Sequence, residues 1–231
     1  MWANQAPPIF FSSKNVGGER MTEYRTVKEF ASAEFTEKRS RFIGWCRPVT
    51  TQEEAVAFID EIRSRHWDAT HNVYAYRLRD GQIQRYNDDG EPQGTAGMPV
   101  LDVLQKSNLV DVVVVATRYF GGILLGGGGL VRAYSHTSSI AVKAAGIVCM
   151  KPCQMLTLAC DYSRYGRLDS LIPECGGLID DTRFGEHVEI DFHMEPALVP
   201  HFQKRLADAS NGQVQAEVTG EKYFQQEILP E

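Results

Sequence analysis

The alternation of apolar and polar positions divides the chain into short strands and amphipathic helices. From Glu23 to about Val49 the pattern is strand-like: YRTVKEFASAEF, a charged turn over 36–40, then apolar Phe42 to Cys46, which predicts a hairpin. Thr51-Gln52-Glu53-Glu54 is a capping box. Val56, Ile59, Ile62 and His66 follow at helical spacing, predicting a helix over 51–66. His71 to Leu78 reads as a strand, Gln82 to Tyr86 as a shorter one, and Asn87-Asp88-Asp89-Gly90 as a turn. A helix with a broad apolar face starts near Pro99, a residue suited to a first helical turn. Asp111 to Tyr119 (DVVVVATRY) is β-branched almost throughout, as in a central strand covered on both faces. After a run of glycines, Leu130, Ala133, Tyr134, Thr137, Ile140, Ala141 and Ala144 mark one side of a helix closed by Gly146, with Arg132, His136, Ser139 and Lys143 opposite.

Beyond Lys151-Pro152 the pattern restarts. A strand over 154–161, a helix capped by Ser163, a strand over 178–184, alternating Val188, Ile190, Phe192 and Met194, a helix from Leu198 to Ala209 and a last strand through Val214, Ala216 and Val218 give the order βαββαβ. That order in about seventy residues signals a ferredoxin-like sandwich. The expected class is therefore α+β with two domains, 21–150 and 151–225. Residues 1–20 lack periodicity and carry Pro7-Pro8 and Gly17-Gly18, so they read as a loose tail. An alternative is a start-site extension: Gly17-Gly18-Glu19 can be encoded by the purine-rich stretch that precedes a bacterial start codon, and Met21 follows.

Composition narrows the classes. With 231 residues, 43% hydrophobic and 23% charged, the chain has the make-up of a globular protein, not of a disordered one. Its longest clean apolar run, Val112 to Ala116, is far too short for a membrane helix, and no basic leader with an apolar core opens the sequence, so a cytoplasmic location is expected. The five cysteines read as free thiols, and Cys149 and Cys153 lack the further ligands that a zinc site needs. The net charge of −6 is uneven: residues 1–150 hold 17 Lys plus Arg against 16 Asp plus Glu, whereas 151–231 hold 7 against 14. A nucleic-acid surface, if present, belongs to the first domain, where Lys38, Arg39, Arg41 and Arg47 lie close together.

Two segments carry candidate chemistry. In the strand, glycine loop and helix of 111–145, Gly121, Gly122, Gly126, Gly127, Gly128 and Gly129 let a backbone approach an anion, the amides at the helix start can donate to it, and Arg118 and Arg132 supply charge. No Lys-Ser/Thr pair follows, and Val131 breaks a GxGxxG pattern, so ATP hydrolysis and dinucleotide binding lose support. The alternative is that the glycines serve close packing and a sharp reversal. The second segment, 87–97, places Asp88, Asp89 and Glu91 ahead of a helix with Thr95 beside them; three carboxylates could hold Mg²⁺ together with a phosphate, or simply form an Asp-rich turn. His71 is a further candidate for a cleft between these loops. His187, Glu189, Asp191 and His193 share a strand face, but the end residues lie about 20 Å apart at strand rise, so they cannot hold one metal. No metal site and no cofactor are expected.

The segments Ala69 to Arg77, Asn87 to Gly97 and Thr117 to Tyr134 together resemble the bacterial YigZ and eukaryotic IMPACT family. The resemblance runs from about Tyr24 to Val218. It departs at Asn87, where Ser is common, at Gly127, where Ala or Thr is usual, and at Met98, where Lys often occurs. It implies an N-terminal domain of the fold seen in a small-subunit ribosomal protein and in elongation factor G, followed by a ferredoxin-like domain. Eukaryotic members are linked to control of translation during amino-acid starvation, and carry an additional N-terminal interaction domain. The expected function is regulatory, not catalytic: binding of RNA or ribosomal components through the glycine loops. Two alternatives stand beside it, a Mg-dependent enzyme acting on a phosphorylated or nucleotide substrate, and a protein-binding module using the acidic second domain. No membrane partner is expected.

Overall fold

The structure, a computed structural model, describes residues 21–227, so both readings of residues 1–20 fall outside the described residues. Its elements are β1 (Tyr24–Val27), β2 (Ala31–Glu37), β3 (Ser40–Pro48), α1 (Gln52–Arg65), β4 (His71–Arg77), β5 (Gln84–Asn87), α2 (Gly97–Lys106), β6 (Val112–Tyr119), α3 (Gly127–Ala145), β7 (Ile147–Cys160), α4 (Tyr162–Glu174), β8 (Leu178–Phe184), β9 (Val188–Met194), α5 (Val199–Ser210) and β10 (Ala216–Glu227). The chain is α+β and divides into two compact units, made mainly of residues 24–149 and 150–225. None of the described helices is long and apolar enough to cross a membrane.

The N-terminal unit is organised by β6, the middle strand of an antiparallel sheet ordered β2-β3-β6-β4-β5. Side chains alternate across a strand. Val112, Val114 and Ala116 accordingly join the core under α2 and α3, while Val113 and Val115 pack on Phe58, Ile59 and Ile62 of α1. This two-sided cover explains the β-branched run. On α1 the buried stripe is Ala55, Phe58, Ile59 and Ile62, and Val56 is exposed. The stripe thus starts one residue earlier than the Val56-based spacing predicts, because the small Ala55 opens an i, i+3, i+4, i+7 series. Thr51 caps the helix as expected, its Oγ1 accepting from Glu54 N at 3.2 Å.

The predicted hairpin from Glu23 is in fact interrupted. Lys28 N and Glu29 N donate to Gly146 O and Ala145 O at 2.8 and 3.3 Å, tying this segment to the end of α3, so β1 pairs with β7 and the hairpin proper is β2–β3. Helix α3 lies close on the sheet at Gly44, where an added Cβ would stand 2.5 Å from Thr137 O and 2.8 Å from Ala141 Cβ.

The C-terminal unit has the order β7-α4-β8-β9-α5-β10 and a sheet ordered β10-β7-β9-β8. Leu168, Leu171 and Ile172 of α4 and Phe202 and Leu206 of α5 cover one face, against Leu156, Leu158, Ile190 and Phe192. On β9, Glu189 and Asp191 alternate with that core and pair with Arg183. Two details differ from the pattern reading: β7 runs through Lys151-Pro152 without interruption, and α4 starts at Tyr162, with Asp161 in place of Ser163 at the cap position. All five cysteines are free thiols; burial pushes Cys46 far up, and burial with nearby Glu195 raises Cys153 to about 11.

Substituting Gly44→Ala should destabilise the protein by about 1–3 kcal/mol, the usual cost of overpacking, because the contacts are backbone and a methyl with no room to give. Urea unfolding would show a lower midpoint at unchanged slope; an unchanged midpoint would mean that α3 does not bear on β3 at this point.

Candidate functional site

The candidate residues of the N-terminal unit gather at one end of its sheet. There β3 and β4 begin and β6 ends, with Arg41 opposite Tyr119 and His71 opposite Arg118. The β2–β3 turn, the loop after α1, the 87–97 loop and the glycine loop therefore meet, and α2 and α3 start beside them.

At the centre lies a buried ion pair. Arg118 continues the register of Val112, Val114 and Ala116, so its side chain turns toward α3 instead of solvent. Its Nη1 donates to Glu91 Oε1 at 2.5 Å, and the two side chains are 6% and 4% exposed. The same oxygen accepts from Tyr134 Oη at 2.7 Å, and His71 Nε2 stands 3.7 Å away. Burial first, and then the Glu91 charge, push the Tyr134 phenol far up, so it stays a donor. Arg118 Nη2 reaches Ser40 Oγ at 3.4 Å, which also accepts from Gly121 N at 3.2 Å. The expectation that Arg118 offers its charge to an external anion is thereby corrected: that charge is matched inside the protein.

The acidic segment is likewise turned inward. Asp88 Oδ2 accepts from Gly94 N at 2.9 Å, and its Oδ1 from Ala96 N and Gly97 N at 3.1 and 2.7 Å, so it caps α2 from upstream. Asp89 Oδ2 accepts from Asn72 N at 2.6 Å and its Oδ1 from Arg63 Nη2 at 3.0 Å. His71 Nδ1 lies 2.7 Å from Asp89 O, and the Thr95 hydroxyl donates to Pro92 O at 2.6 Å. The three carboxylates serve three different sets of donors, and among the described residues no group of three His, Cys, Asp or Glu is placed to hold a metal. The alternative of an Mg²⁺ cradle finds no assembled ligand set among the described residues.

The glycine loop divides by role. Gly121 lies on the hairpin turn so closely that an added Cβ would be 2.0 Å from Arg39 C; this glycine serves packing. Gly126, at φ +75°, precedes α3 without a side-chain cap, and Gly127 and Gly128 are exposed. A Cβ on Gly127 would stand 3.9 Å from Thr95 Cγ2, so the two glycine-bearing loops are neighbours. Arg132, one turn into α3, is exposed and lines a pocket of about 290 Å³ with Lys38, His136, Phe35 and Glu37. Lys38 and Arg39 form the β2–β3 turn at φ +43° and +64°, and neither has an ion-pair partner among the described residues.

Two aromatic residues here escape the sequence reading. Trp67, which follows α1, is 82% exposed, and Phe120 at the head of the glycine loop is 45% exposed. Their loops are fastened together: Phe120 N donates to Thr70 Oγ1 at 3.0 Å, and Tyr119 Oη to Asp68 Oδ1 at 3.0 Å. A sequence signal was present, since Trp67 falls beyond the last buried turn of α1, where periodicity no longer calls for an apolar side chain.

Removing one partner of the central pair should be costly. Glu91→Ala is expected to lose about 3–5 kcal/mol, because Arg118 is left buried and uncompensated, whereas Glu91→Leu with Arg118→Met should recover much of it. Chemical denaturation of the two variants measures this, and a single-variant loss below about 1 kcal/mol would show the pair to be dispensable.

Residues 38–142 match the model of the Impact N-terminal domain, and residues 158–213 match a domain of unknown function, DUF1949. The chain is 40% identical over 190 residues to the IMPACT family member YvyE of Bacillus subtilis (strain 168), covering 82% of this chain and 88% of that protein. It is 36% identical over 181 residues to the IMPACT family member YigZ of Escherichia coli (strain K12), covering 77% and 89%. To the Protein IMPACT homolog of Dictyostelium discoideum it is 42% identical over 106 residues, 44% of this chain and 29% of that one. A solved structure titled as that of a hypothetical protein aligns with 32% identity and a TM-score of 0.55 over 87% of this chain and 99% of its own.

Proposed function

From the IMPACT family, to which this chain belongs, we propose that the protein is a translation-associated regulatory factor that binds single-stranded segments of RNA, ribosomal RNA among them, at the loop end of its N-terminal unit. The observation that carries this reading is the meeting of cations without ion-pair partners among the described residues, a helix start without a side-chain cap, and exposed aromatic rings at that end. Lys38, Arg39 and Arg132 would neutralise phosphates. The amides at the start of α3 add an anion-competent helix terminus. Trp67 and Phe120 offer faces on which unpaired bases stack, which favours single strands over duplex.

On this reading the buried Glu91–Arg118 pair positions the loops and touches no ligand. The enzyme alternative gains no support, because Asp88, Asp89 and Glu91 are occupied. The C-terminal unit, whose strand order β10-β7-β9-β8 we read as a ferredoxin-like sandwich, is too acidic to attract RNA.

Fluorescence anisotropy with a single-stranded ribosomal RNA fragment tests the proposal. The triple variant K38E/R39E/R132E should bind at least about tenfold more weakly and with a salt slope reduced by up to about two, as fits three lost phosphate contacts. Trp67→Ala should lose about 1–3 kcal/mol of binding with the salt slope unchanged. Equal affinity of the triple variant and the natural protein would reject the assigned surface.

A further inference from the structure

The opposite end of the α2–α3 layer holds a second pocket, of about 360 Å³, lined by Arg25, Val103, Ser107, Ser139, Val142, Lys143 and Ile147. It follows from helical spacing. Val103 of α2 and the C-cap residue Ser107 stand four residues apart, as do Ser139 and Lys143 on α3, so the end of each helix turns one matched pair of positions toward the other. Arg25 of β1 and Ile147 of β7 close the space, and Val103, Val142 and Ile147 make its apolar part.

The charge inside is one-sided. Two cations and two hydroxyls line the pocket, and no carboxylate does. Neither Arg25 nor Lys143 takes part in an ion pair among the described residues, and Arg25 Nε is buried without a hydrogen-bond partner. Arg118 Nε is orphaned in the same way, but its guanidinium is ion-paired, so what sets Arg25 apart is the missing carboxylate: Arg41, Arg47, Arg63, Arg65, Arg79 and Arg118 all reach one. Two like charges sharing a cavity, one with a dehydrated donor, are unfavourable unless something answers them.

The bland explanation is that the cations complement the C-terminal ends of α2 and α3. Those ends are already served. Arg77 Nη1 donates to Leu104 O and Leu109 O at 3.4 and 2.9 Å, while Lys28 N and Glu29 N donate to Gly146 O and Ala145 O.

We propose that this pocket binds a small phosphomonoester, its phosphate held by the Arg25 fork, the Lys143 ammonium and the hydroxyls of Ser107 and Ser139, and its body resting on Val103, Val142 and Ile147. A guanidinium, an ammonium and two hydroxyls supply donors from several directions, which suits a tetrahedral dianion better than a planar carboxylate. The site is independent of the RNA surface: Lys143 lies about 24 Å along α3 from Gly127 at helical rise. A free sugar phosphate or mononucleotide and the 5′-phosphate end of an RNA strand present the same group.

Isothermal titration of the full chain with ribose 5-phosphate, AMP, adenosine, and a trinucleotide with or without a 5′-phosphate tests the proposal. At least one phosphorylated probe should bind saturably while adenosine and the 5′-hydroxyl trinucleotide do not, and which phosphorylated probe binds separates a metabolite from an RNA end. R25Q and K143Q should each weaken that binding about tenfold or more, as expected for a lost hydrogen bond to a charged group, and S139A by a few fold. K38E/R39E/R132E should leave it unchanged, so this site and the RNA surface can fail separately. Lys143 and Ser139 are exposed helix positions, so K143Q and S139A keep the test readable even if R25Q does not fold. No saturable binding of any phosphorylated probe, or binding that K143Q and S139A leave intact, would overturn the proposal.

Discussion

The Glu91–Arg118 pair is the constraint on which the candidate site depends. It ties Arg118, the last α3-facing residue of the central strand, to a loop 27 positions earlier, and through Tyr134 and Ser40 it reaches α3 and the hairpin turn. A buried ion pair of this kind is no guarantee of stability, since desolvation offsets much of its Coulombic gain. Its effect is geometric. With Arg118 turned inward, four loops that would otherwise be separately tethered share one anchor, and the side chains left outside are those that no internal partner claims.

Legibility in the sequence follows the range of the forces involved. The core strand could be read because burial on both faces demands an apolar, β-branched run, which Val112 to Ala116 provides. Thr51 could be read as a cap because the contact is three residues long. The face of α1 was harder to place, because alanine at position 55 carries little hydrophobic signal though it is wholly buried.

The destination of Arg118 was hidden for another reason. Its residue type suggests an anion, and only the parity of β6 together with the distant Glu91 shows that the anion is part of the fold. The approach of Lys38 and Arg39 to the glycine loop depends on the antiparallel register of β3 and β6, which no local pattern encodes. The carboxylates of the 87–97 loop looked like ligands until their acceptor positions were counted. Asp88 accepts from backbone amides, Asp89 from an amide and a guanidinium, and Glu91 Oε1 from a guanidinium and a phenol.

The glycines that open α3 have a consequence for how that helix is held. Three successive glycines disfavour a helical first turn by up to roughly 3 kcal/mol relative to alanines, so Gly127 to Gly129 stay wound because the rest of α3, from Leu130 through Ala133 and Tyr134, is buried in the core, and not through intrinsic propensity. The front of α3 is therefore a segment whose winding is coupled to its occupancy. A ligand that satisfies its amides would stabilise this first turn, and slower hydrogen exchange at those amides would register the binding without any displacement of the domain around them.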